Sequence, residues 1–323
     1  MKLHILAKLS IATISLVTLF ASISTYQYFH EDLSTFNAVQ KESTQKTSTL
    51  ESPTAHYFQS SLGLTRYLSF GKNEQPTIIL IHSFNGFLES WNPNIKPLVD
   101  AGYQVIAYDL WGRGLSSRPR TELTLAVFRD QLHQLMLFLN IKKAHLIGAS
   151  FGSVIASDYA LKHPENVISL SLLGPAGWPQ DNDNTTALLN TPIIPDAIFH
   201  YFGKEILKPK VEDYLYFRQD NQWVIDYWDN FSQHPGFSRS LLSTLRHSPV
   251  RDYTEGWTAL GRINIPTIFI WGKQDISFPY SNTEKATRLL PKANIIGIDN
   301  AAHWVNIDQA QQVNDALLSF LSQ

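Results

Sequence analysis

The sequence predicts an α/β protein built on a mostly parallel sheet with helices on both sides. Two observations carry this. Short, nearly continuous apolar runs recur along the chain, as strands buried on both faces require. Stretches with apolar residues at helical spacing lie between them, which is the alternation of a parallel sheet with crossover helices. Strands are expected at Thr77–His82, Gln104–Tyr108, His145–Gly148, Val167–Leu173, Thr267–Trp271 and Asn294–Ile298. Helices are expected at Leu123–Leu139, Phe151–Leu161 and Ser281–Leu290.

One connection is too long for this scheme. More than ninety residues separate Leu173 from Thr267, where loops of about two to six residues around one helix would suffice. An inserted helical unit is therefore expected over 178–257. It is rich in rings, among them Phe199, Tyr201, Phe202, Tyr214, Tyr216, Phe217, Trp223, Tyr227, Trp228 and Phe231. Most are expected to pack the unit itself, and a few to line an apolar pocket over the C-terminal edge of the sheet. There is no internal repeat.

The N-terminus has a different character. Lys2 and Lys8 precede an uncharged stretch from Leu9 to Ile23, the pattern of an export signal. Residues 1–30 are read as a signal peptide or a retained membrane anchor. Ser22 and Ser24 offer small residues before a cut, whereas the roughly 20 apolar residues of a span are reached only by running through several Ser and Thr to Phe29. Either reading exports the rest of the chain, which would be periplasmic, secreted or tethered to the membrane. Residues 31–55, rich in Ser, Thr, Gln and Lys, read as a flexible linker. The core then comprises 56–177 and 258–323.

Composition narrows the function. A chain of 323 residues with 44 % hydrophobic and 17 % charged residues has the makings of a large folded core. Its formal charge is -2 and its Lys and Arg are dispersed, so the basic footprint of a nucleic-acid binder is missing and a small-molecule partner fits better. The absence of cysteine excludes disulfides, thiolate metal sites and a cysteine nucleophile.

The chemistry sits at three loops. Gly148-Ala149-Ser150-Phe151-Gly152 falls between an expected strand and an expected helix, where a nucleophile elbow needs a serine on a sharp turn flanked by glycines. A serine that merely caps a helix would occupy the same place, so its partners decide. A serine hydroxyl needs an imidazole to take its proton, and the imidazole needs a carboxylate to orient it. His303 lies in the loop after the last expected strand, and Asp275 in the loop after the one before it. Parallel strands deliver these loops to one edge. Asp252 and Asp299 are weaker candidates for the acid. Negative charge developing on a carbonyl oxygen needs fixed donors: the backbone N–H of Phe151, and that of Phe84 in the loop His82-Ser83-Phe84-Asn85-Gly86. His82 is read as orienting that loop, not as a second base.

Together with Asp109-Leu110-Trp111-Gly112-Arg113-Gly114-Leu115-Ser116, Trp271-Gly272-Lys273-Gln274-Asp275 and Ala302-His303-Trp304, these motifs resemble the α/β-hydrolase fold family in its capped branch, over about residues 56–323. The resemblance implies an eight-stranded, mostly parallel sheet, a helical cap after the sixth strand and no cofactor. It also implies Ser150 as nucleophile, Asp275 as acid and His303 as base, with Phe84 and Phe151 as oxyanion donors. Asp109 and Arg113 belong to a loop that is usually structural in the family. Many members carry His-Gly where this chain has His82-Ser83, which restricts that loop's backbone. Ser150 stands where related epoxide hydrolases and haloalkane dehalogenases carry aspartate, which favours acyl chemistry.

The expected activity is hydrolysis of carboxylic esters with a small apolar acyl group, in the manner of a carboxylesterase or lipase. The same triad also serves carbon–carbon bond hydrolases, amidases or aminopeptidases and acyltransferases. A small-molecule-binding protein that keeps the fold without turnover is the alternative from another class.

Overall fold

The structure is a computed structural model that describes residues 13–23, 26, 27, 30, 37, 55–179, 189–191 and 193–323. Eight strands form one sheet: β1 (His56–Ser60), β2 (Gly63–Phe70), β3 (Thr77–Ile81), β4 (Gln104–Tyr108), β5 (Ala144–Ala149), β6 (Val167–Leu173), β7 (Thr267–Gly272) and β8 (Asn294–Ile298). Their order is β1-β2-β4-β3-β5-β6-β7-β8. β2 pairs antiparallel with β1 and with β4, and every other pairing is parallel.

The central strands β3, β4, β5 and β7 are buried along their whole length, and their side chains divide by parity between two cores. Ile79, Ile81, Ile106, Tyr108 and Leu146 face α2 (Leu125–Phe138) and α3 (Phe151–Lys162) through Leu132, Leu135, Val154 and Ile155. Ile78, Leu80, Val105, Ala107 and Ile147 face α1 (Asn92–Asp100) and α10 (Ala310–Leu321) through Ile95, Leu98, Val313 and Leu317. This two-residue alternation explains why the strands read as unbroken apolar runs: both faces are covered.

The β1–β2 hairpin was not marked by hydrophobic runs. β2 carries Thr65 and Arg66 among its buried residues. Arg66 is admitted by ion pairs to Glu89 at 2.6 Å and to Asp109 at 3.1 Å, a compensation that hydropathy does not register.

Between β6 and β7 lie the helices α4 (Ile194–Asp213), α5 (Gln222–Ser232), α6 (Phe237–His247) and α7 (Thr254–Leu260). Trp228, Phe231, Phe237, Leu241 and Leu242 from this insertion join the same apolar cluster as α2 and α3. The remaining helices are α8 (Asn282–Leu289) and α9 (Val305–Asp308). The linker expected over 31–55 lies outside the described residues apart from 37 and 55, as do residues 1–12 of the N-terminal segment.

Candidate active site

Because β3, β5, β6, β7 and β8 run parallel, the loops that follow them leave the same edge of the sheet. Ser150 follows β5 immediately and begins the turn into α3, with φ 53 and ψ -116. A non-glycine residue in this region is strained by roughly 1–3 kcal/mol. The strain is held by close packing on both sides. A Cβ on Gly148 would stand 2.4 Å from the Gly152 carbonyl, and one on Gly152 would stand 2.1 Å from the Ile81 oxygen. Backbone bonds then pin the turn: Ser150 N–H donates to Leu173 O at 2.8 Å, and Ser150 O accepts from Ser153 N–H at 3.0 Å and Ala176 N–H at 3.2 Å.

Asp275 and His303 meet directly. His303 Nδ1 lies 2.8 Å from Asp275 Oδ2, while Asp275 Oδ1 accepts from the N–H groups of Ser277 at 2.8 Å and Phe278 at 2.9 Å. The carboxylate therefore has no rotational freedom left, and it fixes the proton on Nδ1. Nε2 of His303 has no partner among the described residues. Gly174 places this pair beside the serine. It sits in the Leu173–Ala176 stretch that holds Ser150, and a Cβ on it would lie 3.4 Å from His303 Nδ1 and 3.5 Å from Asp275 Oδ2. The Ser150 hydroxyl makes no hydrogen bond among the described residues, to His303 or elsewhere. The Asp275–His303 pair thus lies against the Leu173–Ala176 backbone that also holds Ser150, with no hydrogen bond between serine and histidine. All three are at most 4 % exposed.

The loop after β3 is set by polar contacts. His82 Nδ1 lies 2.8 Å from Ser83 O, and His82 Nε2 accepts from Leu110 N–H at 3.0 Å. The hydrogen-bond pattern therefore assigns a neutral ring with its proton on Nδ1. Burial, with the Arg113 charge nearby, pushes its pKa down to about 3. Ser83 O also accepts from Gly86 N–H at 3.0 Å. That carbonyl belongs to the same peptide as the Phe84 N–H, so the two bonds orient the donor. Arg113 Nε donates to Phe84 O at 2.9 Å, and burial pushes the Arg113 guanidinium down to about 9. Neither Phe84 N–H nor Phe151 N–H has an acceptor among the described residues. Ser83 stays out of the left-handed region, so no glycine is needed there, and its Oγ accepts from Trp304 Nε1 at 3.0 Å.

Three contacts to the insertion were beyond sequence reasoning. The Tyr214 ring lies 4.8 Å from that of His303, Trp228 Nε1 donates to Asn85 Oδ1 at 2.8 Å, and the Phe87 ring sits 5.4 Å from Phe231. Burial, with the nearby Asp275 and Asp213 charges, raises the pKa of Tyr214 and holds its phenol protonated. Asp109 supports the loop instead of the reaction. It accepts from Leu88 N–H and Leu115 N–H, each at 2.9 Å, and pairs with Arg66.

Comparison with known proteins agrees with the fold. The family model for the alpha/beta hydrolase fold matches residues 76–310, and the chain belongs to that family. It is 27 % identical to a 2-hydroxy-6-oxononadienedioate/2-hydroxy-6-oxononatrienedioate hydrolase of Comamonas testosteroni, over 77 % of this chain and 88 % of the relative. It is 25 % identical to the monoacylglycerol lipase ABHD6 of Mus musculus, over 77 % of this chain and 76 % of that one. A solved membrane phospholipase A superposes with a TM-score of 0.67 at 20 % identity, covering 100 % of this chain and 98 % of that one; this likeness shows the fold. The protein is accordingly a hydrolase of this family.

Proposed function

We propose that the protein is a serine hydrolase that cleaves carboxylic esters with an apolar acyl group, through Ser150, His303 and Asp275. The observation that carries this reading is the His303–Asp275 pair at 2.8 Å, packed against Gly174 in the stretch that holds the strained serine. Ser150 Oγ attacks the ester carbonyl while His303 Nε2 takes its proton, and Asp275 steadies the imidazolium. The N–H groups of Phe84 and Phe151 receive the oxyanion. Collapse of the tetrahedral intermediate expels the alcohol, protonated by His303, and leaves an acyl group on Ser150. Water, deprotonated by the same ring, then releases the acid. The mechanism calls on no cofactor, and the basic-then-apolar N-terminus supports action outside the cytoplasm.

The similarity to a monoacylglycerol lipase supports an ester substrate, while the similarity to a carbon–carbon bond hydrolase supports a second reading with the same residues. Reaction of the full chain with a fluorophosphonate probe, followed by a para-nitrophenyl ester series, separates the outcomes. Labelling and ester turnover that vanish in Ser150→Ala establish the serine esterase. Labelling with turnover of a vinylogous 1,5-diketone acid and not of esters would transfer the triad to carbon–carbon cleavage. An unlabelled, folded wild type would overturn the nucleophile.

A further inference from the structure

Helix α4 is apolar on two sides. Phe199, Gly203, Leu207 and Val211 are buried against the rest of the insertion. Ile194, Ile198, Phe202 and Ile206, four residues apart, with Tyr201 three after Ile198, line the other side and are all exposed, Phe202 at 59 %. Such an outward stripe is not needed to fold the helix. Glu205 is the one acid within it, and the exposed Lys204 and Lys210 border it on its two flanks.

A second apolar surface meets this stripe. Residues 13–23 are helical and expose Ile14, Leu16, Val17, Leu19, Phe20 and Ile23. The Phe20 ring stacks on Tyr201 at 5.6 Å, and the Tyr201 hydroxyl donates to Gln27 at 3.5 Å. Contiguous exposed apolar surface of this kind marks an interaction site. No helix among the described residues is long and apolar enough to cross a membrane, but a helix whose outward side is apolar, with lysines beside it, can lie in the lipid interface.

We propose that the outer side of α4 and residues 13–23 form one surface that seats on a lipid bilayer. The insertion, and not the N-terminal segment alone, then holds the protein to the membrane. Since the insertion also reaches His303 through Tyr214 and Asn85 through Trp228, the bilayer lies next to the candidate site. This extends the ester-hydrolase reading to lipid acyl esters but is read without turnover, so it can fail while that reading stands, and the reverse.

The chain lacks cysteine, so one introduced thiol reports from one place. Full chain carrying Phe202→Cys, labelled with a nitrobenzoxadiazole dye, is mixed with vesicles of phosphatidylcholine and phosphatidylglycerol. The expected result is a blue-shifted, several-fold brighter emission, quenched by lipids bearing nitroxide near the headgroup. A label at Lys292→Cys, before β8 at the other edge of the sheet, should not respond. Full chain with Ile198→Asp and Phe202→Asp should partition onto vesicles at least roughly tenfold more weakly, with water-soluble ester turnover retained. A Phe202 label that stays aqueous on vesicle-bound protein overturns the proposal. So does a blue shift that rises with protein concentration in the absence of vesicles, which would make a second copy of the chain the occupant.

Discussion

His82 and Asp109 follow β3 and β4, and His303 and Asp275 follow β8 and β7, so two histidine–aspartate sets flank the elbow at one edge of the sheet. Both are buried and both aspartates accept backbone N–H groups. They differ in what the ring nitrogens do. In His82 both are occupied by the backbone, and its Nε2 stands 4.0 Å from Asp109 Oδ1. In His303 only Nδ1 is used, by Asp275. A base must have a free lone pair facing the proton it takes, so the first set can position a loop and the second can move a proton. Burial and an aspartate neighbour do not distinguish them.

Substitution should split the two sets widely. His303→Ala is expected to lower kcat for a para-nitrophenyl ester by about a millionfold with little change in urea unfolding. His82→Ala is expected to lower it by about a hundredfold, through a loosened Phe84 N–H, while costing about 2–4 kcal/mol of stability. Equal losses of activity from the two variants would break the comparison.

The carboxylates should divide in the same way, more gently. Asp275→Asn, which favours the wrong His303 tautomer, is expected to reduce kcat by about ten-thousandfold. Asp109→Asn weakens the buried pair with Arg66 and is expected to cost roughly 3 kcal/mol, with kcat held within about tenfold. A stable Asp109→Asn protein with the turnover defect of Asp275→Asn would give the structural set a part in the chemistry.

How far each set could be read from the sequence follows from the same contacts. The placing of Ser150, Asp275 and His303 at one edge of the sheet was legible because each falls in the loop after an apolar run, and a parallel sheet brings such loops together. The role of His82 was legible in kind, but its tautomer depends on Leu110 N–H, twenty-eight residues away. The β1–β2 hairpin was hidden by Arg66, whose charge is matched by Glu89, in the turn before α1, and by Asp109, at the end of β4. Tyr214 and Trp228 were visible as aromatics of the insertion. Their reach to His303 and Asn85 was not, because it depends on how α4 and α5 lie over the sheet, and periodicity within a helix carries no such information.

Titration offers a third way to separate the sets. The folded pKa of His82 is lowered from 6.5 to about 3, so between these values the unfolded chain binds a proton that the folded one refuses. Stability is then fully present above about pH 6.5 and falls as the pH drops toward 3. At pH 4.5 the loss from this ring is about 2–3 kcal/mol. Urea unfolding at pH 7 and pH 4.5 should show a steeper loss for wild type than for His82→Gln, which has nothing to titrate. A variant that loses as much stability as wild type over this interval would mean that His82 does not set the acid limb.

The smallest effect lies where the insertion touches the sheet edge. The loop after β3 is fixed by its own strand-end partners, whereas its hydrogen bond to the insertion runs from one side chain to another, from Trp228 Nε1 to Asn85 Oδ1. Asn85 Nδ2 has no partner among the described residues, so loss of this bond leaves the buried amide with none from α5. Trp228→Phe keeps an aromatic ring beside Phe237 and removes the donor, at an expected cost of about 1–2 kcal/mol. If the insertion opens as a unit to expose the buried Ser150, Asp275 and His303, that cost should appear as local opening: amide exchange in α5 faster by roughly tenfold, with β3 and β5 unchanged. Exchange that accelerates equally in β3 would mean that insertion and sheet edge open together, and that the route to Ser150 does not pass between them.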